Sequence, residues 1–209
     1  MRSVAMMVDL WFPLVGRTLP SDHGYGLYGA ICRIIPEMHG ADWWGLHTVR
    51  GARSGVGVIV LPRQPRLGIR VAAEHIPRVL SLAGQQLEID GHRIGLGAPT
   101  VQAPTPDSSL SARVVIIKGF TEPVPFKGAV ERQLAELAIT NASVEVGPRK
   151  IVTIDGRKVI GFSLRVTGLG PEDSIKLQEQ GIGGRRRMGC GVFRKSEREL
   201  TPDRRPDAQ

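Results

Sequence analysis

The sequence predicts an α+β protein built from two tandem ferredoxin-like (RRM-like) domains, with a glycine/arginine-rich loop near its C-terminus. Three observations predict it. Hydrophobic periodicity spells the order strand, helix, strand, strand, helix, strand twice along the chain. A segment of proline and small polar residues, 98–109, separates the two runs. Three consecutive arginines, bracketed by glycines from Gly181 to Gly191, lie between the last helix and the last strand. The domains are expected at 1–100 and 110–195, followed by a polar, disordered tail at 196–209. The repeat is one of topology, without convincing repetition of sequence.

The first run opens with Val4, Met6, Val8, Leu10 and Phe12 alternating with Ala5, Met7, Asp9 and Trp11, a strand ended by Pro13. Ser21-Asp22 starts a helix whose apolar face is Tyr28, Ile31, Cys32 and Ile35, and Pro36 stops it. Glycines at 24, 26 and 29 weaken that helix, which implies close packing or binding against its first turns. Leu46–Val49, Val56–Leu61 and Leu67–Val71 read as strands, and Glu74–Leu82 as a short helix. Gln86–Ile89 and Arg93–Leu96 form a hairpin over Asp90-Gly91.

The second run begins with the β-branched strand Ala112–Ile117. A helix opens at Pro125 and buries Phe126, Val130, Leu134 and Leu137. Ser143–Val146, Ile151–Ile154 and Val159–Val166 are strands, the last two joined over Asp155-Gly156. Pro171-Glu172-Asp173 starts the last helix with acidic residues at the positive end of its dipole, and Gly181 closes it. Met188–Phe193 is the expected final strand.

A net charge of +8, with 22 of 28 basic residues being arginine, points to an anionic partner. Only Cys32 and Cys190 are present, so a disulfide framework and a Cys-rich zinc site are excluded, and a reducing cytoplasm is expected. The five histidines show no metal-ligand spacing, so neither metal nor other cofactor is expected. Asp9 interrupts the N-terminal apolar run, which therefore suits neither a signal peptide nor a membrane span.

The Gly181–Gly191 loop fits neither common nucleotide motif. The dinucleotide fingerprint counted from Gly181 needs glycine at Arg186. The P-loop span from Gly184 to Gly189 is followed by Cys190-Gly191 in place of Lys-Ser/Thr. Glycines that admit close backbone approach, beside planar guanidinium forks, suit the phosphates of a nucleic-acid chain. Tandem basic units of this type serve RNA recognition. Aromatic residues make up only 5% of the chain, so phosphate contacts carry more of the affinity than base stacking. A solvated surface hairpin is the bland alternative.

The pattern G-x-G-x5-G-x-G at Gly181, Gly183, Gly189 and Gly191, with a basic x5, resembles the signature of the CRISPR-associated repeat-processing endoribonucleases, the sixth Cas family within the RAMP superfamily. Leu19–Tyr25, Leu27–Ala30, His39–Trp43 and Ile117–Pro123 further resemble its Myxococcus-type (MYXAN) branch. The resemblance covers Val8 to Phe193. It implies an enzyme that cuts precursor CRISPR RNA within repeats, without metal, by attack of the 2′-OH on the adjacent phosphate. The implied products are a 5′-OH and a 2′,3′-cyclic phosphate. It also implies retention of the guide RNA and partnership with other Cas subunits of a type I complex. A non-catalytic RNA-binding subunit of such a complex is the alternative, and an unrelated basic RNA chaperone a third.

Within that reading His23 is the expected general base or acid, because many relatives place a catalytic histidine at the start of the first helix. A helix N-terminus also disfavours imidazolium. Tyr25 is expected to orient His23 or contact phosphate, Tyr28 to pack in the core, and Lys118 to stabilise the phosphorane. Arg185, Arg186 and Arg187, with Gly181, Gly183, Gly189 and Gly191, are the expected RNA-binding loop. His39 is the rival catalytic histidine, while His47, His75 and His92 are read as ordinary histidines.

Overall fold

The structure is a computed structural model that describes residues 6–55 and 57–196. The expected tail beyond Ser196, and the expectations placed on Val4 and Val56, lie outside the described residues. Strand β1 spans Met7–Val15, β2 Thr18–Pro20 and helix α1 Gly24–Ile34. Strands β3 (Trp44–His47), β4 (Ala52–Arg53), β5 (Val58–Val60) and β6 (Arg66–Ala72) follow, then the one-turn helix α2 (Ile76–Val79). β7 (Gln86–Ile89), β8 (His92–Leu96) and β9 (Thr100–Gln102) complete the first half. The second half contains β10 (Ser109–Val115), α3 (Pro123–Glu136), β11 (Ser143–Ile154), β12 (Arg157–Thr167), α4 (Pro171–Gln180) and β13 (Arg194–Lys195).

Both halves have the antiparallel ferredoxin-like order. In the second half it runs β11-β12-β10-β13, and in the first it runs β3-β6-β1 before continuing to β8 and β7. Pro13 does not end β1 as expected. The strand runs on to Val15 and exchanges β6 for β8 as its partner just past the proline, where the missing N–H removes one ladder hydrogen bond. The region 98–109 is not wholly linker either, since Asp9, Leu10 and Trp11 pair with β9. The two short strands expected in 143–154 are one long strand bent by a register shift between Val146 and Arg149. Both Asp-Gly hairpins form, with positive φ at Asp90, Gly91, Asp155 and Gly156.

Each half has a core. Phe126, Phe162, Leu164, Leu177 and Phe193 fill the second. The first is centred on Leu10, Phe12, Leu27, Ile31, Leu46 and Ile69, and it also takes in Val114, Ile116, Val152 and Ile154 from the second half. That shared apolar seam fixes the halves against each other and holds a cleft open beside it.

Candidate nucleic-acid interface and acid–base pair

The Gly181–Gly191 segment is a tightly tied loop. Met188–Phe193 does not form the expected strand. Arg186–Met188 makes one 3-10 turn, with Arg185 before it and Gly189 after it in left-handed geometry. The pairing strand is the two-residue β13, immediately after the expected one. Loop amides point inward: Gly184 N–H donates to Ile116 O at 2.9 Å, Gly191 N–H to Val114 O at 2.7 Å and Gly183 N–H to Gln133 Oε1 at 2.8 Å. Backbone packs on backbone. A Cβ on Gly191 would stand 2.0 Å from Ile182 O, one on Gly181 2.3 Å from Gly191 O, and one on Gly183 2.4 Å from Ile116 O. Close packing at these three positions leaves no room for a side chain, so the glycines shape the loop.

The three arginines divide. Arg186 donates to Glu179 O and Gln180 O, the last carbonyls of α4, at 3.3 and 2.9 Å, and to Asp42 O at 3.2 Å. It closes the helix end and ties the loop to the turn after α1. Arg187 donates to Ala41 O at 2.7 Å on the same turn. Arg185 is exposed, with no side-chain hydrogen bond or ion pair among the described residues. The three arginines expected to bind RNA are thus placed differently: Arg186 and Arg187 donate to backbone carbonyls, and Arg185 faces solvent whole.

His23 is fully buried at the N-cap of α1. Its Nδ1–H donates to Pro20 O at 2.7 Å, and its Nε2 accepts the Val49 N–H at 3.1 Å. Burial, with nearby Arg113 adding to it, pushes its pKa down to about 4, against the Pro20 hydrogen bond. The ring is neutral as expected, but the main cause is burial, and neither nitrogen is presented to a substrate. Its placement is that of a cross-link between the β2–α1 turn and the segment after β3.

His39 is placed differently. It is the one exposed histidine of the five, in the turn that Arg186 and Arg187 hold. Its Nδ1 lies 3.3 Å from the Tyr28 hydroxyl, which also receives the Gly40 N–H at 3.4 Å. Burial pushes the Cys32 thiol up, while Tyr28 and the charge of Arg187 oppose the shift. The Tyr28 contact engages Nδ1 of the His39 ring, and Nε2 has no hydrogen-bond partner among the described residues.

The periodicity that marked Tyr28 as core was correct for its ring, which is buried and stacked on Trp44 at 6.0 Å. It carried no information on where the hydroxyl would end. Tyr25 is half-buried and stacks on Tyr28 at 6.2 Å. Lys118 is exposed just beyond β10, two residues past the carbonyl that holds Gly184. Trp44 is buried, and Trp43 packs on His75 at 4.1 Å.

A second basic surface was missed. A cleft of about 840 Å³ lies between the halves, lined by Arg50, Arg53, Arg113, Lys150, Arg165 and Arg194 against Asp22 and Glu145 as its only acidic residues. Burial, reinforced by Arg50 and Arg113, lowers Arg194 to about 10. Such crowding of like charge favours an anionic ligand. The contributors come from both halves and are scattered along the sequence, so no local pattern could mark them.

A family model described as "Cas6 Crispr" matches residues 8–198. The CRISPR-associated endonuclease Cas6 of Myxococcus xanthus (strain DK1622) is 40% identical over 191 residues, covering 91% of this chain and 82% of that protein. Among solved structures, the product of a Cas6-related gene from Pyrococcus furiosus superposes with a TM-score of 0.65 at 13% identity, covering 93% of this chain and 99% of that one. A RAMP protein described as binding different RNA substrates gives 0.64 at 13% identity, over 92% of this chain and 100% of the other. The structural likeness establishes the tandem ferredoxin-like fold, and the match over nearly the whole chain establishes the family. This chain belongs to the Cas6 family of CRISPR proteins.

Proposed function

We propose that this protein is an endoribonuclease that processes CRISPR RNA, cutting the precursor transcript within its repeats. The observation that carries the reading is the exposed His39, oriented by Tyr28 beside Arg187 of the Gly/Arg loop, in a chain 40% identical to a Cas6 endonuclease. His39 Nε2 takes the proton of the 2′-OH, and the 2′-oxygen attacks the adjacent phosphorus. The bond from phosphorus to the 5′-oxygen breaks, and that oxygen takes a proton from water, to which His39 later returns its own. The products are a 2′,3′-cyclic phosphate and a 5′-OH, by a route that calls for no metal. Arg187 and the exposed Lys118 and Arg185 supply positive charge for the phosphorane and the flanking phosphates. The interdomain cleft holds a further length of RNA backbone.

This reading moves the catalytic role from His23 to His39. It keeps Tyr25 as a lateral support for Tyr28 and treats His23 as a structural cross-link. Other Cas subunits of a type I complex are proposed partners, and co-purification of the chain with guide RNA and those subunits tests that. Among the described residues no helix is long and apolar enough to cross a membrane. The cutting test is incubation with cognate repeat RNA in EDTA, beside the same RNA carrying a single 2′-deoxy at each position. One EDTA-resistant cut, abolished by one deoxy substitution, is expected. Tight binding without cutting in any lane would instead identify a non-catalytic RNA-binding subunit.

A further inference from the structure

The alternation of β1 turns Leu10 and Phe12 into the first core and Asp9 and Trp11 to the opposite face of the sheet. In many two-layer units that face stays open to ligands. Here the end of α4 and the Gly/Arg loop lie on it. A Cβ on Gly45 of β3 would stand 3.2 Å from Val192 and 3.8 Å from Arg186.

At the centre of the covered face is a buried charge network. Arg70 on β6, 3% exposed, pairs bidentately with Asp9 in the register Asp9↔Arg70, Nε to Oδ1 at 2.7 Å and a terminal nitrogen to Oδ2 at 2.8 Å. His47 Nε2 lies 3.0 Å from the same Oδ1, and Trp11 stacks on the imidazole at 4.9 Å. Burial lowers His47, while its contact with Asp9 opposes the shift. Burial alone would raise the Asp9 carboxyl, but His47 and Arg70 hold it well below the usual carboxylate range.

The other terminal nitrogen of Arg70 donates to two backbone carbonyls, Gln178 O and, at 2.9 Å, Phe193 O. Gln178 lies three residues before Gly181, and Phe193 two residues after Gly191. One guanidinium therefore binds both ends of the loop and fixes them to the sheet of the other half. The loop in turn holds the 39–42 turn through Arg186 and Arg187.

We infer that Arg70, oriented by Asp9, is a positioning residue that sets the Gly/Arg loop, and through it the His39 turn, in the geometry needed for cutting. This rests on the proposed reading of His39 as the group that acts on RNA. Arg70 is buried and touches no substrate. Asp9 fixes two of its three nitrogens, so the third can aim only at the loop carbonyls.

The test uses the full chain with Arg70→Lys, Arg70→Gln and the paired variant Asp9→Asn/Arg70→Met. The paired variant removes both charges together, which avoids a stranded buried carboxylate and keeps an acceptor for His47. Amide exchange across 181–191, single-turnover cutting and repeat affinity are measured for each folded variant. Expected are faster exchange confined to the loop, cutting slowed about 10- to 100-fold with affinity changed far less, and partial recovery in Arg70→Lys relative to Arg70→Gln. Unchanged loop exchange in the paired variant would overturn the inference, and so would a loosened loop that cuts at the wild-type rate. Failure of the underlying reading is separately visible, because His39→Ala would then cut normally while the loop exchange of the Arg70 variants still rose.

Discussion

Gly24 and Met188 meet backbone to backbone: a Cβ at Gly24 would stand 2.2 Å from the Met188 carbonyl oxygen. The first turn of α1 is thus the seat of the Gly/Arg loop. The glycines that weaken this helix predict close packing against its first turns, and at Gly24 the partner is the loop of the other half.

The contact predicts opposite signs for two substitutions in one helix. Gly→Ala in a helix interior ordinarily gains about 1 kcal/mol. At Gly29, where a Cβ would meet only the Arg33 guanidinium at 3.9 Å, Gly29→Ala should stabilise by about that amount. At Gly24 the obstacle is a carbonyl, so Gly24→Ala should destabilise by about 2 kcal/mol or more and loosen the loop. Urea denaturation of the two variants decides, and a stabilised Gly24→Ala would refute the close contact.

His39→Ala should abolish cutting while leaving repeat affinity within about threefold, since the ring is exposed and supports no fold contact beyond Tyr28. Tyr28→Phe should slow cutting by about 10- to 100-fold, because Nδ1 loses the hydroxyl that orients the ring. His23→Gln should still cut, at a rate that follows its folded fraction. If His23→Gln were inert yet as stable as wild type and His39→Ala active, the roles would be reversed.

The sequence carried the order of elements because hairpins, helix starts and apolar faces are local. It carried the loop because four glycines at fixed spacing are legible without knowing what they touch. The choice between His23 and His39 was not local. His23 depends on Val49, and His39 on a turn held by Arg186 and Arg187 from about 145 positions away, with separations of 144 and 146. The basic cleft failed for the same reason, since Arg50, Arg113 and Arg165 become neighbours only after two sheets are placed.

The division among the arginines predicts different phenotypes. Arg185 has φ +66°, so Arg185→Gly removes the guanidinium and relieves a left-handed side-chain conformation at once. It should leave the protein as stable or more so, weaken repeat binding, and reduce the slope of log K against log salt by about 1. Arg186→Ala removes the donors to three carbonyls, and should cost about 2 kcal/mol of stability. Equal salt slopes for Arg185→Gly and wild type would remove Arg185 from the interface.

The buried His23 predicts an acid-sensitive fold. Its pKa is about 4 in the folded protein against 6.5 in an unfolded chain, so the unfolded state binds the proton first as pH falls. The His23 contribution is therefore complete above pH 6.5 and is lost as pH drops from 6.5 toward 4, up to about 3 kcal/mol. His47, also lowered by burial, acts in the same direction, while Asp9 loses its charge only at lower pH. Urea unfolding at pH 7.5, 6, 5 and 4.5 should show stability falling through this window, and His23→Gln should flatten part of the fall because glutamine does not titrate. A His23→Gln variant with the wild-type slope would mean that protonated imidazole is accommodated at this position, against the two hydrogen bonds that hold the neutral ring.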